Sequence, residues 1–124
     1  MVMAWRPELV CSVLADDECR ALLLFAGVDV GSTGDAMRCM ARRLRAYFRG
    51  RAPFPHELGV LLGYPACDVR GFMSDGGRGA IACGRWKVYG DPVAAKKRFA
   101  ELDRRESVVR ERFCAGCPVS ALIA

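Results

Sequence analysis

Apolar side chains recur at intervals of three and four residues through much of the chain, and this spacing predicts helices. The clearest stripe has members at i, i+3, i+4, i+7, i+10 and i+11, and it consists of Met37, Met40, Ala41, Leu44, Tyr47 and Phe48. Ser32 followed three residues later by Asp35 is typical of a helix start, and Gly50 is typical of a helix end. We therefore expect a helix from Ser32 to about Arg49 whose apolar stripe packs inward.

Proline, aspartate and glycine predict the ends of five further helices. These helices cover residues 7–14, 17–26, 56–62, 66–74 and 92–113. The first two are expected in the core, and the second starts at Asp16 or Asp17 and carries Leu22, Leu23 and Phe25. The last is a long amphipathic helix, and its apolar stripe contains Ala95, Phe99, Leu102, Val109 and Phe113.

Residues 81–89 can be interpreted in two ways. Trp86, Val88 and Tyr89 lie there between glycines, which fits either a short extended segment or an irregular loop held by its aromatic side chains. We expect a mostly α-helical single domain over residues 1–124, with five or six helices and an aromatic loop. The alternative is an α+β domain with a short strand near residues 81–89.

A helical hairpin is predicted where residues 56–62 and 66–74 meet. Gly59, Gly63 and Val69 have the spacing of the small, turn and β-branched residues in helix-turn-helix units, whose two helices approach closely. The second helix, however, offers few side chains that read DNA, and Asp68 would face phosphates with the wrong sign. DNA binding is therefore the alternative function, and its candidate residues are Arg38, Arg42, Arg45, Arg49 and Arg70.

The net charge of +5 is unevenly distributed over the 124 residues. Residues 1–36 are acidic, whereas residues 37–52 hold six basic side chains and no acidic one, and residues 84–124 are also basic. Such segments suit an anionic partner, but they are more often solvated helix faces. The charge alone does not predict nucleic-acid binding.

The longest strongly apolar run, residues 21–28, is far too short to span a bilayer, and the first residues lack the pattern of a secretory signal. We therefore expect an intracellular, cytoplasmic protein with no membrane partner. The seven cysteines are odd in number and are expected to be reduced. Cys114 and Cys117 form a C-x-x-C pair, but the chain has no second such pair to complete a zinc site. A thiol or metal-binding role is therefore a third possibility.

The sequence contains no group of residues with the spacing of a catalytic set. His56 and Glu57 are adjacent, so they would point about 100° apart on a helix, and no serine or second carboxylate completes a catalytic set. Residues 75–79 (DGGRG) lack the Gly-Lys-Ser/Thr ending of a phosphate-binding loop, so no cofactor is predicted. Trp86, Lys87 and Tyr89 would instead form a ligand platform, since aromatic rings offer stacking surfaces and lysine a point charge.

Two longer blocks resemble a known bacterial family. They are FPHELGVLLGYPACDVRGFM at residues 54–73 and CGRWKVYGDPVAAKKRF at residues 83–99. They are similar to the motifs F-P-H-E-I-G-x-F-L-G-Y-P-x-x-D-V-x-G-F-I and C-G-Y-W-K-V-Y-G-D of the family called domain of unknown function 3793. The resemblance covers residues 5–112 and leaves residues 113–124 as a variable tail. It also implies that this chain begins after an amino-terminal region that relatives usually carry.

The resemblance implies no reaction and no catalytic residues, but it suggests that the two blocks form the distinctive surface of the domain. We therefore expect six residues to lie near one another as a candidate ligand site: His56, Glu57, Trp86, Lys87, Tyr89 and Asp91. The expected function is a non-enzymatic binding or interaction module whose partner is a protein or a small anionic ligand.

Overall fold

Seven helices and one small antiparallel sheet are formed by residues 1–123, which are the residues that the computed structural model describes. The helices are α1 Pro7–Ala15, α2 Asp17–Phe25, α3 Thr33–Phe48, α4 Leu58–Leu61, α5 Ala66–Asp75, α6 Pro92–Cys114 and α7 Val119–Leu122. The strands are β1 Ala82–Cys83 and β2 Lys87–Val88, and they lie between α5 and α6. The prediction of a mostly helical fold is confirmed, with a minor strand content at residues 81–89.

The first three helices start where the sequence predicts. Asp16 caps α2 by accepting a hydrogen bond from the Cys19 amide at 2.9 Å, and Ser32 caps α3 by accepting one from the Asp35 amide at 3.0 Å. Together α1 to α3 and the loop before α3 enclose the largest core cluster. Its buried members are Val10, Leu14, Leu23, Val28, Val30, Ala36, Met37, Cys39, Met40 and Leu44.

Two predicted apolar stripes reach beyond the core. The last turn of α3 lies past Leu44, so Tyr47 is 40 % exposed and Phe48 is 67 % exposed. Phe25, predicted to face the core with Leu22 and Leu23, is 89 % exposed because it ends α2. These three inward assignments are wrong, since a periodic pattern shows that a helix is amphipathic but not how far its partners extend.

The predicted helix over residues 56–62 is wrong in length, because residues 56 and 57 form a turn and α4 has only four residues. The close approach predicted from Gly59 is present. A Cβ atom there would lie 2.9 Å from Cδ2 of Tyr64 and 3.0 Å from Cγ2 of Val69. Gly63 has a φ of +86°, which L side chains rarely adopt, and it reverses the chain between α4 and α5.

The strands β1 and β2 form a hairpin in which Ala82 pairs with Val88 and Cys83 pairs with Lys87. This hairpin and the start of α6 enclose a third cluster of buried residues, which consists of Trp86, Val88 and Ala95. Asp91 caps α6 through the amides of Val93 and Ala94. Past Leu102 the helix carries no buried residue, so the predicted inward positions at Val109 and Phe113 are wrong.

Among residues 1–123, none of the helices combines the length and the apolar character needed to cross a membrane.

Gly71 in α5 lies directly against the ring of Tyr89, where a Cβ atom would overlap Cγ, the first ring atom. Gly71→Ala should therefore lower the free energy of unfolding by about 1–3 kcal/mol, although alanine is the better helix former. Gly34→Ala in α3 is the matched control, because the atom nearest its Cβ is the flexible end of Arg38 at 3.2 Å. Urea denaturation of both variants checks this, and equal stability of the two would contradict the packing.

Candidate functional site

One cavity of about 370 Å³ lies between the segment 54–72 and the β1–β2 hairpin, and we call it the groove. The first sequence block contributes Phe54, His56, Tyr64, Asp68 and Phe72, and the second contributes Cys83, Arg85, Trp86 and Lys87. Leu58, Leu62 and Val69 complete its apolar wall. The two blocks that carry the family resemblance therefore build one site.

Aromatic rings line both sides of the groove. The His56 ring lies between Phe54 and Phe72, with centroid distances of 5.2 and 4.8 Å. Across the groove, Tyr64 stacks on Trp86 at 4.5 Å, with an angle of 25° between the ring planes. The ring of Phe99 on α6 packs edge-on against Trp86, with the two ring centroids 4.5 Å apart. Trp86 is buried against Tyr64 and Phe99, so the more open rings of Phe54, His56 and Phe72 offer the aromatic surface that suits a flat ligand.

Asp68 holds the two blocks together. The residue is 2 % exposed, and its carboxylate accepts hydrogen bonds from the Trp86 indole at 2.8 Å and from the amides of Tyr89 and Gly90 at 2.9 Å each. Burial raises the pKa of Asp68, but these hydrogen bonds lower it by more, so the pKa lies below its ordinary value. The argument that Asp68 would repel phosphates at a DNA surface does not apply, because this side chain is buried and bonded within the domain. The missed signal is its place on the inward face of α5, one turn before Phe72.

Tyr89 points away from the groove. Its hydroxyl donates to Asp75, which also accepts from the amides of Gly77 and Gly79 at 2.9 and 2.7 Å. The Tyr89 hydroxyl and these amides hold the pKa of Asp75 below its usual value. Burial and the neighbouring Asp75 raise the pKa of Tyr89. Tyr89 therefore anchors the glycine loop 76–79 to α5.

Glu57 also points away from the groove, because it is buried and forms an ion pair with Arg43 of α3. Arg43 donates in addition to the carbonyl oxygen of Ala26 at 2.7 Å. Asp91 caps α6 as described above. Of the six predicted site residues, the structure brings His56, Trp86 and Lys87 together in the groove, and it places Glu57, Tyr89 and Asp91 in structural contacts outside it.

The unpaired charge of the groove is positive. No carboxylate within residues 1–123 forms an ion pair with Lys87, whereas Arg85 is bound by Asp103 at 2.7 Å and by Glu106 at 2.5 Å. Asp68 also lines the groove, but protein N–H groups already engage its oxygens. A ligand that enters the groove would therefore meet one lysine ammonium without a counter-charge.

The residues of the alternative functions lie elsewhere. Arg38 pairs with Asp35, Arg42 and Arg45 lie exposed on α3, Arg49 lies exposed directly after α3, and Arg70 lies exposed on α5. Cys114 ends α6, and Cys117 follows it and accepts a hydrogen bond from Arg112. In the described part of the chain, no three His, Cys, Asp or Glu side chains form a group that could hold a metal ion.

Comparison with known proteins supports the family resemblance. A family model described as protein of unknown function (DUF3793) matches residues 1–123, which extends past the 5–112 range of the resemblance. No curated protein and no solved structure matches the chain. The match spans both blocks that build the groove, and this chain therefore belongs to the DUF3793 family.

Proposed function

We propose that the protein is a binding module whose groove takes a small planar anion. The observation that carries this proposal is that Lys87, which has no ion pair within residues 1–123, lines the same cavity as the rings of Phe54, Tyr64 and Phe72. Ring faces bind flat apolar surfaces, and a lysine without a counter-charge favours a carboxylate or phosphate. The ligand class is therefore an aromatic ring that bears an acidic group.

The size of the groove agrees with this class. A volume of about 370 Å³ falls at the lower end of ordinary small-molecule sites and suits one ring or two fused rings with a short acidic substituent. His56 contacts the rings of Phe54 and Phe72, and within residues 1–123 it has no carboxylate or hydroxyl partner of the kind that prepares a general base. This arrangement supports binding rather than catalysis.

Titration with benzoate, nicotinate and indole-3-acetate tests the proposal. In isothermal titration calorimetry, at least one of these anions should give a saturable heat of binding at concentrations up to about 10 mM, since even millimolar affinity is measurable. Lys87→Ala should weaken that binding about tenfold, because a charge-assisted contact is lost. Lys96→Ala, which removes an exposed lysine outside the groove, is the control.

Two results would contradict the proposal. One is the absence of a saturable heat of binding with all three anions, and the other is an equal loss of affinity in Lys87→Ala and Lys96→Ala. A neutral analogue such as benzamide should bind more weakly than benzoate, since it lacks the charge that Lys87 would meet.

We also place this module in the bacterial cytoplasm. The motifs resemble a bacterial family, and the seven cysteines are all free thiols, which suits a reducing compartment. Cell fractionation of the natural host checks the location.

The helix-turn-helix alternative has less support for two reasons. The first helix of the hairpin, α4, has a single turn, and α5 offers only one cation, Arg70, to a nucleic acid.

A further inference from the structure

The carboxyl-terminal end of α3 carries a second surface that combines exposed rings with unpaired arginines. Tyr47 contacts Phe48 and Phe54, with ring centroids 5.3 and 5.2 Å apart. Beside these rings, Arg45, Arg49 and Phe48 line a shallow hollow of about 540 Å³ together with Met1. We call this surface the ring-arginine face, and it shares only Phe54 with the groove.

The charge of this face is not neutralised. Residues 36–56 contain six arginines and no acidic residue. Arg38 and Arg43 pair with Asp35 and Glu57, but no carboxylate within residues 1–123 forms an ion pair with the four others, which are Arg42, Arg45, Arg49 and Arg51. On α6, by contrast, Arg98, Arg105 and Arg110 pair with Glu101 or Glu106. The basic segment at the end of α3 therefore keeps four arginine charges available for a partner, with no acidic residue between residues 36 and 56 to offset them.

We propose that the ring-arginine face binds single-stranded nucleic acid. Unpaired bases stack on exposed aromatic rings, and phosphates of the same strand bind arginines at the edge of those rings. Phe48, 67 % exposed at the helix end, has the most exposed ring of this face, and Arg45 and Arg49 line the hollow beside it. No part of this proposal depends on a ligand in the groove.

The same observations disfavour duplex DNA and lipid. The bases of a duplex are stacked inside it and cannot reach the rings of Tyr47 and Phe48. A helix that lies on a membrane needs a continuous apolar face, but the apolar face of α3 is buried at Met37, Met40 and Leu44. Only its last turn offers exposed rings.

Fluorescence anisotropy with labelled oligo(dT) and oligo(U) of about 12 nucleotides tests the proposal on the full chain. At low salt both should bind, and a duplex of equal length should bind more weakly. Phe48→Ala should weaken oligonucleotide binding about tenfold without changing its salt dependence, because stacking is lost. The double variant Arg45→Ala/Arg49→Ala should also weaken it and should reduce the slope of log K against log salt by about 1.4, since two phosphate contacts are lost.

Arg104→Ala/Arg112→Ala on α6 is the control, since it removes the same charge from exposed arginines away from the face. Its affinity should stay within about twofold of the parent chain. The proposal is overturned if neither oligonucleotide binds, if the duplex binds at least as tightly, or if the control loses as much affinity as the Arg45 and Arg49 variant. Binding only to phosphatidylglycerol vesicles, lost in Phe48→Ala, would assign the face to a membrane surface and also overturn it.

Discussion

Asp68→Ala is expected to lower the free energy of unfolding by about 3–5 kcal/mol, because it leaves several buried donors without an acceptor. These donors are the Trp86 indole and the amides of Tyr89 and Gly90. A domain of this size has about 5–15 kcal/mol in total, so the variant would lose a large part of its stability. Urea denaturation followed by circular dichroism measures the change. Trp86 fluorescence should shift to the red, since the ring loses its anchor.

Asp103→Ala is the control for this prediction, because that carboxylate is exposed and pairs with Arg85 at the surface. Its cost should be at most about 1 kcal/mol. If the two substitutions lowered the free energy of unfolding equally, the conclusion that Asp68 holds the two blocks together would be contradicted. Asp68→Asn should fall between them, since an amide oxygen can accept from only part of the donors.

The low pKa of Asp68 also predicts a pH dependence of stability. Its pKa in the folded chain lies below the ordinary value of 3.8, so the unfolded chain binds a proton more readily than the folded one. The stabilisation is therefore fully present above the unfolded pKa and disappears as the pH falls through the folded pKa. Stability of the parent chain should decrease below about pH 4, and Asp68→Asn should lack this part of the decrease.

Arg43→Met is expected to lower the free energy of unfolding by about 2–3 kcal/mol, because Glu57 remains buried without its counter-charge. The value is below that of a fully buried pair, since the Arg43 side chain is one-third exposed. Loss of its hydrogen bond to the Ala26 carbonyl adds to the effect. Thermal and urea denaturation measure the change.

Arg42→Met provides the matched control, since Arg42 is the neighbouring residue on α3 and is exposed. Its stability should stay within about 0.5 kcal/mol of the parent chain. If the two variants were equally stable, the ion pair would not hold residues 54–57 against α3.

Local signals in the sequence predict most of the helices but not their partners. Caps at Asp16, Ser32 and Asp91 set the starts of α2, α3 and α6, because each side chain bonds to amides two or three residues away. Whether Phe48 or Phe113 is covered depends instead on how far other helices extend. Periodicity carries no such information, and both side chains are exposed.

The candidate site could be predicted only in part. His56, Trp86 and Lys87 follow from the two sequence blocks and share the groove. The role of Asp68 in holding the two sequence blocks together could not be predicted. Its hydrogen bond to Trp86 joins residues 18 positions apart, and such a contact leaves no local pattern in the sequence. Glu57 is predicted to lie in the site because it belongs to the first sequence block, but the turn at residues 56–57 directs its side chain to Arg43.

The central claim is that the groove binds a planar anion, and amide and indole NMR signals test it most directly. On addition of nicotinate to the ¹⁵N-labelled chain, the indole N–H signal of Trp86 and the backbone signals of residues 83–87 should move together with one dissociation constant. The indole signal of Trp5, which is not part of the groove, should remain in place. Unchanged Trp86 signals, or shifts confined to residues outside the groove, with benzoate and indole-3-acetate as well as nicotinate, would contradict the claim.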